Sequence, residues 1–141
     1  MGQDITLTAS DGHKLGAYLC EAEGECNGSV IVVQEIFGVN VHIRDVAGRY
    51  AALGYKTIAP ALYDRQERDF ETGYEPDDIA RGRDFKAGAN ENLNGVMADM
   101  DAAYAAVSDM GKVAVTGFCW GGFVVWLAAC RMNIQAAAGY Y

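Results

Sequence analysis

Apolar and polar residues alternate twice near the start of the chain. Ile5, Leu7 and Ala9 alternate with Thr6, Thr8 and Ser10, and Leu15, Ala17 and Leu19 alternate again beyond Asp11-Gly12. A period of two on either side of an Asp-Gly turn predicts an antiparallel hairpin with one face buried. His13 opens its second strand and reads as a solvent-facing turn residue. Residues 21–28 form a polar, glycine-containing connector. The pattern then changes at Ser29-Val-Ile-Val-Val-Gln34, a continuous apolar run of the kind found in strands covered on both faces. A loop over 35–40 follows. Ile43, Val46, Ala47, Tyr50 and Ala51 next recur at helical spacing until Gly54 ends the helix. Residues 55–59 read as a strand stopped by Pro60.

Residues 61–88 are charged and irregular, and a stretch that long between regular elements is usually functional or mobile. Asp77 reads as the cap of a short helix through Arg81 and Arg83. Leu93, Val96, Met97, Met100, Ala103, Tyr104 and Val107 then form an i, i+3, i+4, i+7 stripe. That predicts an amphipathic helix whose methionines and tyrosine pack on a sheet, closed by Gly111. Val113 to Val115 is a short strand. Phe123 to Cys130 is apolar all round, which predicts a central buried helix, and residues 135–141 begin another buried strand. A hairpin followed by three strand–helix alternations specifies an α/β fold with a mostly parallel sheet and right-handed crossovers. It forms one domain over 1–141.

Composition narrows the class. Hydrophobic residues make up 51% of the chain, enough for a packed core. A formal net charge of -8 argues against nucleic acid or an anionic membrane as partner. The four cysteines (Cys20, Cys26, Cys119, Cys130) form no C-x-x-C pair and stand in no zinc-like spacing, so no metal or redox motif is expected. Gly2-Gln3-Asp4 leads straight into a strand pattern rather than a signal peptide, and no apolar run reaches spanning length. Reduced thiols in a cytoplasmic protein are the expectation.

The chemistry concentrates at Gly117-Phe118-Cys119-Trp120-Gly121, between a predicted strand and a predicted helix. This is a G-x-nucleophile-x-G elbow with cysteine as the nucleophile. So sharp a turn strains the nucleophile's backbone, and glycines two positions away let strand and helix approach. Sγ would stand at the C-terminal edge of the sheet and at a helix N-terminus, where the dipole favours a thiolate. A buried structural cysteine on a glycine-rich turn is the plainer alternative.

Together with the elbow, the Gln34-Glu35-Ile36-Phe37-Gly38-Val39-Asn40 loop, Pro60-Ala61-Leu62-Tyr63, Asp11-Gly12-His13 and Ala138-Gly139-Tyr140-Tyr141 resemble the dienelactone hydrolase family of α/β-hydrolases. The resemblance spans essentially the whole chain. It implies a cofactor-free cysteine hydrolase of lactones or related carboxylic esters, working through a thioester. In the family a Cys-His-Asp triad acts, and Cys119 takes the nucleophile position. Glu35 takes that of the carboxylate near the resting thiol, and the backbone N–H groups of Trp120 and Ile36 take the oxyanion-hole positions. Two donors from separate loops can converge there on one developing oxyanion. A loop carboxylate paired with an arginine is the alternative for Glu35. Family members that bind lactones clamp the substrate carboxylate with arginine, which would be Arg81 or Arg83; a solvated surface role is as strong for either.

No acidic residue or histidine follows Cys119 in this sequence, and the only histidines are His13 and His42. His42 reads as a helix-start residue rather than a base. The expectation is therefore an incomplete α/β-hydrolase domain, truncated after the strand that follows the nucleophile helix. Its triad acid and base would come from elsewhere, and it would self-associate or bind a complementing C-terminal fragment. Two other readings stand beside the hydrolase: a catalytically inactive fragment or interaction module, and a redox-sensing thiol.

Overall fold

The computed structural model describes residues 2–141. Its elements are β1 (Gln3–Thr8), β2 (Lys14–Cys20), β3 (Ser29–Val33), α1 (Val41–Ala52), β4 (Lys56–Pro60), α2 (Pro76–Glu91), α3 (Leu93–Val107), β5 (Val113–Phe118), α4 (Trp120–Arg131) and β6 (Ala136–Tyr140). The strands lie in the order β1-β2-β4-β3-β5-β6. β1 and β2 form the expected antiparallel hairpin, β2 runs antiparallel to β4, and β4, β3, β5 and β6 are mutually parallel. The α/β fold and mostly parallel sheet agree with the sequence pattern.

Alternation along β3 sends its side chains to two cores. Ile31 and Val33 join Ile58, Val113 and Val115 beneath α3 and α4, while Val30 and Val32 join Ala59 beneath Ile43, Val46, Ala47 and Ala51 of α1. All five β3 residues are buried. This explains why that stretch shows no polar alternation.

The structure departs from the sequence pattern at five places. The stretch 61–88 is irregular only to residue 75, because α2 runs for 16 residues from Pro76. Asp77 is not its cap. Glu75 holds that place, Pro76 supplies the first helical residue without needing its missing N–H, and Asp78 accepts from the Glu75 N–H at 3.2 Å. α2 buries only Gly82 and Ala89, so it leaves no apolar stripe to read. α4 is not enclosed: Val124, Val125, Leu127 and Ala128 pack inward, whereas Phe123 and Trp126 are 39% and 63% exposed. β6 is not buried either. It bonds β5 on one side only, and every residue of it is exposed.

His13 is half-buried rather than solvent-facing, and its Nε2 is shielded without a partner. Arg65 draws the hairpin turn inward, pairing with Asp11 at 2.7 Å and with fully buried Asp99 of α3 at 2.8 Å.

Candidate active site

Cys119 sits between β5 and α4 with φ +58° and ψ -122°, a left-handed conformation that a residue with a side chain adopts only under constraint. The constraint comes from three directions. A methyl group on Gly121 would collide with the Gln34 carbonyl and come 2.7 Å from that of Val33, so the first turn of α4 lies directly on the end of β3. A methyl on Gly117 would come 2.8 Å from the Gly121 carbonyl, which fixes how tightly strand folds back on helix. The Cys119 N–H donates to the Tyr140 carbonyl at 3.0 Å, tying the turn to β6. The side chain is half-buried. As the N-cap of α4 it adjoins N–H groups that a helix cannot satisfy internally.

The loop after β3 is equally determined. Gln34 is fully buried. Its Nε2 donates to the Glu35 carbonyl at 3.2 Å and its Oε1 accepts from the Leu62 N–H at 3.0 Å, locking the ends of β3 and β4 together. Gly38 has φ +79° and lies against the Phe70 carbonyl where no side chain would fit. The Asn40 side chain accepts from the Ile43 N–H at 3.1 Å and so starts α1.

Glu35 is 8% exposed. Its Oε1 accepts from the Tyr141 hydroxyl at 3.3 Å, while Oε2 is buried without a partner. Among the described residues it pairs with no arginine or lysine, so the alternative reading of an arginine-paired loop carboxylate is not what the fold contains. The Tyr141 phenol is pushed up by desolvation first and then by the charge of Glu35, to which it donates. Tyr63 is buried, with its hydroxyl unpartnered. Burial first, and the Cys119 charge second, push it well above the usual phenol range.

Trp120 is buried against Tyr63, with ring centroids 5.2 Å apart, and its Nε1 donates to Asn90 Oδ1 at 2.9 Å. Ile36 opens the loop next to Glu35. Arg81 projects from α2, donates to both Glu67 carboxylate oxygens at 2.8 and 3.0 Å, and lies over the Phe70 ring at 5.1 Å. Arg83, on the same helix, is exposed. His42 is exposed in the first turn of α1, its ring 5.8 Å from that of Phe118, on the sheet face opposite α4.

A groove of about 620 Å³ runs beside Cys119, lined by Phe123, Trp126, Ala137, Tyr140 and Tyr141 among others. A separate cleft of about 380 Å³ near the hairpin, lined by Arg44, Arg68 and Asp69, contains none of the candidate residues. Tyr63 and Tyr141 lie in quoted motifs, whereas Gly82, against Ile36, and Asn90, bonded to Trp120, lie in no motif. They sit on a helix that buries little and so carries no apolar stripe to mark them. Among the described residues no three His, Cys, Asp or Glu side chains could hold a metal ion.

The model of the dienelactone hydrolase family matches residues 15–141. A Synechocystis sp. protein named "Putative carboxymethylenebutenolidase" is 43% identical over 117 residues, covering 79% of this chain and 47% of the relative. A "Carboxymethylenebutenolidase" of Pseudomonas putida is 31% identical over 144 residues, covering 99% and 60%. The crystal structure titled "Putative Dienelactone Hydrolase" from Klebsiella pneumoniae superposes with a TM-score of 0.68 at 33% identity, covering 93% of this chain and 55% of that one. The chain spans about half the length of the curated relatives it matches.

Proposed function

The chain belongs to the dienelactone hydrolase family, and from that premise we propose that Cys119 is the nucleophile of a hydrolase acting on a lactone or related carboxylic ester. The observation that carries this reading is the strained backbone of Cys119 at the strand–helix turn, enforced by glycines on both sides. Strain of about 1–3 kcal/mol persists at functional positions when the surroundings over-determine it.

Glu35 takes the thiol proton, the sulfur attacks the carbonyl carbon, and the carbonyl oxygen becomes an oxyanion. The N–H groups of Trp120 and Ile36 face that charge. The carbon–oxygen bond to the alcohol portion breaks, the alkoxide recovers the proton, and a thioester remains on Cys119. The substrate carboxylate is met by Arg81 or Arg83, and Arg81 must leave Glu67 to serve. Hydrolysis of the thioester needs a base near pKa 6.5. Among the described residues no histidine hydrogen-bonds Cys119, and His42 instead sets its ring 5.8 Å from that of Phe118. That observation favours a second reading, a catalytically inactive fragment or interaction module that retains the hydrolase fold.

Substoichiometric iodoacetamide followed by peptide mapping tests the nucleophile. Exposure alone predicts that Cys130 reacts first, because Cys119 is only half-buried and Cys20 is buried. Burial also pushes the Cys20 thiol up, which slows it further. The proposal expects Cys119 to react ahead of all three others, and Cys119→Ser to fold normally without that label. Labelling of Cys130 or Cys26 ahead of Cys119 contradicts it.

A further inference from the structure

α2 touches both residues that would carry the oxyanion donors. A methyl group on Gly82 would come 2.6 Å from the Ile36 carbonyl oxygen and 3.1 Å from its Cγ1, so the helix backbone rests directly on that residue. Eight positions later, Asn90 Oδ1 accepts from Trp120 Nε1 at 2.9 Å. With a rise of 1.5 Å per residue the two contacts stand roughly 12 Å apart along one rigid element. Between them Phe85 stacks on Phe70 with centroids 4.1 Å apart and meets Tyr63 at 5.6 Å, and Tyr63 in turn packs on Trp120. Little else of the helix is buried. Besides the segment between β4 and α2, which it meets through Phe85 and Arg81, its contacts include the loop after β3 and the start of α4.

We propose that α2 is a strap that sets the oxyanion hole, with Gly82 and Asn90 as positioning residues that hold Ile36 and Trp120 in register over Cys119. The proposal rests on reading Cys119 as the nucleophile. Donors stabilise a developing oxyanion only within a narrow range, about 2.7–3.1 Å from the oxygen. Here they come from two different strand–helix loops, so an element that bridges both is well placed to fix their separation. Gly82 is helical, and alanine is the better helix former at such a position. A methyl there therefore leaves the helix intact and pushes on Ile36. The obstacle is a backbone carbonyl, so either the loop or the helix must shift.

Two reactions of the same sulfur separate positioning from general damage. Acylation by p-nitrophenyl acetate passes through a tetrahedral oxyanion, whereas alkylation by iodoacetamide displaces iodide at a saturated carbon and needs no such hole. Gly82→Ala should slow the acylation burst by about tenfold to a hundredfold, as expected for a misplaced donor, and leave Cys119 alkylation unchanged. Asn90→Ala should slow acylation by a smaller factor, and Asn90→Asp, which keeps the acceptor, should restore it. If Gly82→Ala does not fold, the Asn90 pair decides. Unchanged acylation in the variants, or equal loss of acylation and alkylation, overturns the strap. A wild-type chain that is alkylated at Cys119 but never acylated overturns the nucleophile reading, and the strap with it.

Discussion

β3 and β6 are the two parallel neighbours of β5, five residues each and mostly apolar, yet one is buried throughout and the other exposed throughout. The difference lies in what surrounds them. β3 has β4 and β5 at its sides, α1 over one face and α3 and α4 over the other. β6 has β5 alone, with α4 against it. Apolar composition makes a segment ready to pair, while its neighbours decide whether pairing removes it from water. The candidate site straddles this contrast. Glu35 and Ile36 follow the enclosed strand, whereas Tyr140, which holds Cys119, ends the open one and Tyr141, which reaches Glu35, follows it.

The largest effect expected from the contrast is on stability. Ile31→Ala, in a fully buried β3 position, should cost about 2–5 kcal/mol, while Ala136→Ser in β6 should stay within about 0.5 kcal/mol. Urea midpoints read both, and equal losses would break the distinction. A second effect concerns association. An apolar strand with an open edge pairs with whatever is available, so the chain should self-associate at tens of micromolar, roughly the range where such surfaces aggregate. Ala138→Lys should reduce that association. Light scattering that shows a stable wild-type monomer would mean that the β6 edge is protected.

The smallest effect lies at the other end of the sheet, on the hairpin. Asp11 is held down at about 2, chiefly by its hydrogen bonds from Arg65. Its folded-state pKa is thus below the unfolded value, so the stability it contributes is present above about pH 4 and is lost as pH falls toward about 2. Asp11→Asn should flatten that part of an acid unfolding curve. An identical acid limb in both proteins would mean that the ion pair does not form in solution.

Much of this was legible before the structure. Alternation in 5–19 and the unbroken run at 29–34 revealed the hairpin and the enclosed strand, because period and burial are linked directly. The elbow was legible because its glycines have a steric task that no other residue performs. A short helix at Asp77 was legible but the length of α2 was not, since a helix that buries only Gly82 and Ala89 carries no stripe; Glu75-Pro76-Asp77-Asp78 held its true start signal. The exposure of Phe123, Trp126 and β6 was also hidden. Their composition matches a core, and only the arrangement of neighbouring elements shows that they lack one.

The proposed role of Cys119 as the nucleophile makes it the residue that carries the acyl group. Rapid mixing with p-nitrophenyl acetate, followed by intact and peptide mass measurement, reads that group on the residue. The expected result is a burst of at most one equivalent of nitrophenol, one acetyl group on Cys119, and then a stall with only slow leakage. No acetyl group on Cys119, or acylation of Cys130 in its place, would contradict the nucleophile. Sustained turnover abolished by His42→Ala would contradict the stall and make His42 the base.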